Sequence, residues 1–295
     1  MKVIITGGSG FIGQQLTDAL LQRGHQVAIL DHNPPKQNVD FFEVDLAGQE
    51  IAEELFQDVD AIIHLAGRNL FGRWNEQVRK SIYDSRILGA KSLVSSIKKL
   101  SQKPKVLISA SAVGFYGDRG EEDLDESSAP GNDFLAKLCI DWEKEAREAE
   151  TLGLRTVQVR TAPVLGHGGM LTQLLPLYRW GLGGPLGSGR QWFPWIHIQD
   201  IVDIYIFALE NEGISGPLNA CSPQHIRNKD FSDTLARVLK RPAFLGVPKW
   251  AFRLVFDGLA DFVFASQKVH PNNLKEAGYS FSFPDINKAL MDILA

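Results

Sequence analysis

The chemistry easiest to read lies near the start of the chain, in Gly7-Gly8-Ser9-Gly10-Phe11-Ile12-Gly13. These residues follow Lys2-Val3-Ile4-Ile5-Thr6, a run of strand formers, and open an apolar stretch with helical spacing that ends at Gly24. A strand, a glycine-rich turn and a helix in that order form a phosphate-binding unit. Gly7 permits the tight turn, Gly10 lets a pyrophosphate approach the backbone, and Gly13 lets the helix pack close to the strand. The helix N-terminus offers unpaired N–H groups and a positive dipole end. A second strand, Gln26-Val27-Ala28-Ile29-Leu30, ends at Asp31, 18 positions beyond Gly13. An acid there holds the ribose hydroxyls of an adenosine. The pattern predicts a dinucleotide cofactor, NAD or NADP. Asp31 accepts from a free ribose 2′-OH and repels a 2′-phosphate, with His32 as the nearby group that offsets this, so the reading leans to NAD.

Other side chains with chemical reach gather between Gly183 and Trp195. Arg190 can pair with phosphate or carboxylate. Trp192 and Trp195 either stack on a ring or pack the core between two lobes. This segment is the expected substrate pocket. His197 sits in an apolar, strand-like run and reads as structural. Cys139 reads as a small buried residue, since nothing nearby in sequence lowers a thiol pKa.

The elements that must position these groups alternate through the first half. Further strands are expected at 39–44, 61–65, 105–111 and 155–160, with helices at about 76–100 and 134–150. Such alternation implies an α/β protein: a doubly wound parallel sheet covered by helices on both faces, with ligands at the carboxyl ends of the strands. Gly7, Asp31, Asp45, Ala66 and Ser111 fall at those ends. The dinucleotide domain is expected over residues 1–165, with returns from about 195–240. Substrate-side segments, a smaller α+β lobe, follow over 166–247, and a small helical unit over 248–295. Glycine and proline crowd 166–194, which reads as a long irregular segment.

Composition sets outer bounds. A chain of 295 residues, 44% hydrophobic and 22% charged, is ordinary globular material. A net charge of −4 gives no bulk reason to expect nucleic acid. No apolar run has the length of a membrane span, and no signal peptide is read before the first strand. Two distant cysteines, Cys139 and Cys221, suggest neither a disulfide framework nor a metal site. The expectation is a cytoplasmic protein with a small-molecule substrate and no metal, nucleic-acid or membrane partner; a homodimer is compatible with it.

Taken together, the chain resembles the extended short-chain dehydrogenase/reductase superfamily, which includes nucleotide-sugar epimerases. Thr6 to Gly13 look like the cofactor loop, adding Phe11 and Ile12 to its contacts. Asp45-Leu46 look like the adenine-contacting pair, and His64-Leu65-Ala66-Gly67 like the loop lining the cofactor. Ser109-Ala110-Ser111-Ala112, followed by Phe115-Tyr116-Gly117, resembles the catalytic-serine segment. A narrower likeness runs through Arg73-Trp74, Ser85-Arg86, Phe134 to Cys139, Trp142-Glu143, Gly183 to Gln191 and Ser266-Gln267. These are similar to atypical epimerase-family members with an extra C-terminal domain of unassigned role.

The resemblance implies a general acid/base tyrosine with a lysine four residues later, and this chain departs from it. Lys137 can be aligned with the lysine, a cofactor contact, but Asp133 then stands at the tyrosine position. If Cys139 is aligned instead, that position is Leu135. Ser111 is the counterpart of the serine and Tyr116 the substitute for the missing tyrosine. Arg86 stands at the position of the superfamily's asparagine. It is counted among the cofactor contacts and can bind an anionic substrate group; the other reading is an ion pair bracing the helix. Two functions follow. One is an NAD(P)-binding oxidoreductase or nucleotide-sugar-epimerase-like enzyme acting on a small polar substrate by hydride transfer. The alternative is a non-catalytic dinucleotide-binding sensor or scaffold.

Overall fold

The computed structural model describes residues 1–48, 51–243, 245–256 and 258–294. In chain order the elements are β1 (Lys2–Thr6), α1 (Phe11–Gln22), β2 (Gln26–Asp31), β3 (Asp40–Glu43), β4 (Ala61–His64), α2 (Glu76–Lys99), β5 (Val106–Ala112), β6 (Asp123–Leu124), α3 (Phe134–Arg147) and β7 (Arg155–Thr161). They continue with β8 (Val164–Leu165), α4 (Gly169–Arg179), β9 (Ile196–His197), α5 (Ile198–Glu210), β10 (Gly216–Ala220) and α6 (Asn228–Leu239). The chain closes with α7 (Lys249–Phe256), α8 (Leu259–Val263), β11 (Lys268–Val269), α9 (Asn272–Glu276) and α10 (Ile286–Leu294).

Val3, Ile4 and Ile5 are consecutive and all fully buried. A strand apolar on both faces must lie inside a sheet covered on both sides. β1 is that strand. It pairs in parallel with β2 and β4 in a seven-stranded sheet of order β10-β7-β5-β4-β1-β2-β3. The order reverses between β1 and β4, so a crevice opens there at the carboxyl ends. On one face Leu16 and Leu20 of α1 pack with Ile201, Ile204 and Tyr205 of α5. On the other, Leu93 and Ile97 of α2 pack with Ala146 of α3. A further core of Trp195, Leu171, Leu235 and Leu290 joins α4, α6 and α10.

The segment expected to be irregular contains the helix α4. Met170, Leu171, Leu174, Leu175 and Tyr178 face the core at helical spacing. Pro176 obscured that signal in the sequence; it lies inside the helix, where its carbonyl still accepts from Trp180 N. The last segments are tied back to the sheet by buried polar groups. Asp200 of α5 accepts from Ser282 N and Phe283 N at 2.7 and 3.0 Å. Gln267 donates through Nε2 to the carbonyls of Val113 and Gly117, both at 3.0 Å. Among the described residues no helix is long and apolar enough to cross a membrane.

Candidate functional site

A cavity of about 790 Å³ opens at the β1–β4 crevice. Gly7, Gly10, Asp31, His32, Asp45, Leu46, Leu65, Ala66 and Gly67, all read from the sequence as cofactor contacts, line it. The loop is held by glycines that nothing larger replaces. Gly7 has φ +74°, and a Cβ there would lie 2.7 Å from Ala66 N. A Cβ on Gly13 would lie 2.5 Å from the Gly7 carbonyl oxygen. Gly10 is the N-cap of α1 and, unlike Asn75 at α2 and Asp133 at α3, provides no side-chain acceptor to the first-turn amides. These amides and the dipole behind them are therefore left for an external anion.

Asp31 ends β2 with its carboxylate fixed. Oδ2 accepts from Ser9 N at 3.0 Å and Ser9 Oγ at 2.5 Å, and Oδ1 accepts from His32 N at 2.7 Å. Oδ1, with a single donor, keeps a lone pair for a further one. The opposite wall is a stripe on α2, Gln77, Lys80, Ser81, Asp84 and Ser85, joined by Arg68. Arg68 donates to Ser81 Oγ at 2.8 Å, and Lys80 pairs with Asp84. Sequence reasoning missed this wall. Its signal was present as polar residues recurring every three or four positions along a helix.

Several expected contacts sit behind the lining. Phe11 packs its ring under Gly166, Gly168 and Gly169. Ile12, partly buried, packs against the core, and Gly13 supports the loop from beneath. Ser109 is buried and donates to the Ala110 carbonyl. Arg86 stacks over Trp142 at 5.2 Å and donates to the Ile82 carbonyl at 3.2 Å. No carboxylate pairs with it among the described residues, so the ion-pair reading is not realised, and burial lowers its pKa to about 10. His64 is fully buried and hydrogen-bonds through Nδ1 to Thr6 Oγ1 at 2.6 Å. Burial and nearby Arg86 push its pKa down to about 4.

The catalytic expectations meet a different geometry. Lys137 is exposed on α3 and does not line the cavity; Asp133 is a helix cap, its Oδ1 accepting from Ala136 N at 2.9 Å. The inward-facing pair one turn apart is Leu135 and Cys139, both buried, with the Cys139 thiol pushed up to about 12 by burial. Ser111 is 4% exposed and donates its one hydroxyl proton to Glu143 Oε1 at 2.7 Å. It therefore has no proton left to donate to a substrate oxygen. Tyr116 is fully buried, donates to Asn219 Oδ1 at 2.6 Å and accepts from Arg160 Nη1 at 3.0 Å. Burial drives its hydroxyl further above its ordinary range. Tyr116 is sealed in a polar network. Tyr116→Phe is expected to cost about 1–3 kcal/mol in urea denaturation, because two buried partners lose a hydrogen bond, and to leave nucleotide affinity unchanged.

The expected substrate residues also lie apart from the cavity. Trp195 is fully buried in the core beside α4 and α6. Trp192 is clasped by Arg227, 3.6 Å over its ring, and donates to Glu121 Oε2 at 3.0 Å. Arg190 is exposed, and its carbonyl accepts from Arg227. These residues form a polar latch between the 190s segment and the loop after β5. His197 caps α5, its Nδ1 accepting from Gln199 N at 3.1 Å, as a structural histidine should. Among the described residues no cluster of His, Cys, Asp or Glu could hold a metal ion.

The pattern of the NAD dependent epimerase/dehydratase family matches residues 3–221, and a domain of unknown function, DUF1731, matches residues 247–293. The chain is 37% identical to epimerase family protein YfhF of Bacillus subtilis, covering all of this chain and 98% of that protein. It is likewise 37% identical to human epimerase family protein SDR39U1, with both chains fully covered. A crystal structure of the human protein with NADPH superposes with a TM-score of 0.89 at 36% identity, over 99% of each chain. UDP-glucose 4-epimerase of Thermus thermophilus, in complex with NAD, shares the fold at 21% identity and a TM-score of 0.79, over 99% of this chain and 97% of that one. The glycine cradle, the reversed strand order and full-length similarity agree: this chain belongs to the NAD dependent epimerase/dehydratase family.

Proposed function

We propose that the chain binds NAD(P) in the glycine-loop cavity and acts as an oxidoreductase or epimerase-like enzyme on a small polar substrate. The observation that carries this reading is the cradle itself. Side chains at Gly7 and Gly13 would collide with backbone at 2.7 and 2.5 Å, and the cavity above them runs without a break to Asp31 and Asp45. The uncapped N-terminus of α1 would take the pyrophosphate, Asp31 the adenosine ribose, and Ala66 and Gly67 the far half of the dinucleotide. The cofactor, when bound, supplies a reversible hydride acceptor. The protein orients it, while Ser111 and Tyr116 hold the end of β5 rigid. With both hydroxyls committed, proton exchange falls to water or to the substrate.

Asp31 sets a preference. A 2′-phosphate placed against a carboxylate is penalised by a few kcal/mol at an effective dielectric of about 20, and His32 and Arg68 offset part of this. NAD is therefore expected to bind about tenfold tighter than NADP, and Asp31→Asn to narrow the gap. Titration of both nucleotides by quenching of protein fluorescence checks this; equal or tighter NADP binding contradicts it. The same titration tests the function, since binding of neither nucleotide removes it.

A second reading, a dinucleotide-responsive protein without catalysis, is favoured by Leu135 and Cys139 facing inward where a proton relay would stand. Nucleotide binding without hydride exchange across a panel of small alcohols and carbonyl compounds would select it.

A further inference from the structure

A second, smaller cavity opens where the N-terminal ends of α2 and α3 meet α8. It measures about 140 Å³, and Trp74, Arg79, Asp133, Leu135, Asp261 and Gln267 are among its lining. We propose that this cavity is a substrate site for small carboxylic acids, with Arg79 holding the carboxylate and the C-terminal helix α8 forming the roof. The proposal rests on the NAD(P)-binding reading above and names the substrate class that goes with it.

Position supports it first. A Cβ on Gly114, in the turn after β5, would lie 3.4 Å from Leu135 Cβ and 3.9 Å from Cys139 Sγ. The cavity thus opens beside the inward-facing pair of α3, at the carboxyl end of β5, where α/β sheets receive ligands. Its size excludes large substrates. Drug-sized ligands need roughly 300 Å³ or more, so this space fits an acid of a few carbons and not a nucleotide sugar.

Charge then selects an anion. Asp261 is already held by Lys249 at 3.2 Å and Arg253 at 2.6 Å, which keep its carboxyl below the usual range despite partial burial. Asp133 is engaged as the cap of α3. The Gln267 amide is spent on the Val113 and Gly117 carbonyls. Arg79 has no carboxylate partner among the described residues and rests over the Phe134 ring at 5.7 Å. Two turns further along α2, Arg86 also lacks one and rests over Trp142. One face of α2 therefore presents two guanidinium groups to α3 with aromatic rings beneath them and, among the described residues, no carboxylate within ion-pair distance. A carboxylate supplies what Arg79 lacks, in the bidentate geometry a guanidinium prefers.

The roof is close enough to test. A Cβ on Gly258, the N-cap of α8, would lie 2.7 Å from the Trp74 ring and 2.8 Å from Arg79 Nη2. A side chain there fills the cavity from the C-terminal side without touching the glycine loop.

The experiment is calorimetric titration of the full chain, saturated with its preferred nucleotide, with propionate, lactate and succinate and with their neutral amides at constant ionic strength. At least one acid is expected to bind about tenfold or more tighter than its amide. Arg79→Gln should erase that preference, Arg79→Lys should restore part of it, and Gly258→Val should abolish acid binding. Nucleotide affinity should be unchanged in all three. Acids and amides that bind alike, or a preference that survives Arg79→Gln, overturn the proposal. Nucleotide titration of the same samples separates the two failures: absent nucleotide binding strikes the cofactor reading, while intact nucleotide binding without acid selectivity strikes only this one.

Discussion

Arg160→Met is expected to destabilise the protein by about 3–5 kcal/mol, a large share of the ~5–15 kcal/mol that holds a typical domain folded. Arg160 and Glu143 are both buried and joined by two parallel bonds of 2.9 Å, Nε to Oε1 and Nη2 to Oε2. Arg160 also donates to Tyr116 and lies 3.5 Å over the Phe115 ring. Burial opposes its charge, and the Glu143 carboxylate outweighs that effect, holding the guanidinium above its usual range. Removing the cation leaves a buried carboxylate whose remaining partner among the described residues is the Ser111 hydroxyl. The Glu143→Leu/Arg160→Met double variant should cost less than Arg160→Met alone, because no unpaired charge remains. Urea denaturation of the single and double variants checks both. A double variant less stable than the single one would mean that packing, not charge, dominates this network.

Gly10→Val is expected to weaken nucleotide binding by about a hundredfold or more while the fold survives. A Cβ at Gly10 meets only the Gly7 carbonyl, at 3.2 Å, so the backbone accommodates it with a small shift. The branched side chain then stands in the cavity above the α1 amides, where a pyrophosphate must come within hydrogen-bond distance. The stability cost is that of a poor N-cap, about 1 kcal/mol, or roughly 2–4 °C in melting temperature for a chain of this size class. Gly13→Val is not equivalent, because its Cβ would strike backbone at 2.5 Å and distort the loop itself. Parallel melting and nucleotide titration separate the two effects; a Gly10→Val protein that binds nucleotide normally would show that the loop does not carry the phosphates.

The parts of this account that were legible in the sequence are those enforced locally. The glycine loop could be read because each glycine answers a backbone requirement within a few residues of it, as the φ of Gly7 and the crowding at Gly13 show. The strands could be read because a doubly covered parallel sheet needs continuous apolar runs such as Val3 to Ile5. What was not legible depends on strand order. Ser111 and Arg160 are far apart in sequence but are register partners on β5 and β7, and only that pairing brings Glu143 and Tyr116 into one network. Arg160, beside the buried Val157 and Val159 of β7, was a hint of a buried partner. The roles expected for Trp192 and Trp195 rested on residue type, and tertiary packing placed one in a surface latch and the other in the core. The small cavity at Arg79 was invisible for the same reason, since its roof comes from residues about 180 positions further on.

The most direct test of the central claim is a crystal structure of the protein with NAD. The pyrophosphate is expected on the first-turn amides of α1 above Gly7 and Gly10, the adenosine ribose on Asp31, and the adenine beside Asp45 and Leu46. Ser111 and Tyr116 are expected still bonded to Glu143 and Asn219. Nucleotide bound away from the glycine loop, or either hydroxyl turned out to meet the nicotinamide end, would contradict that claim.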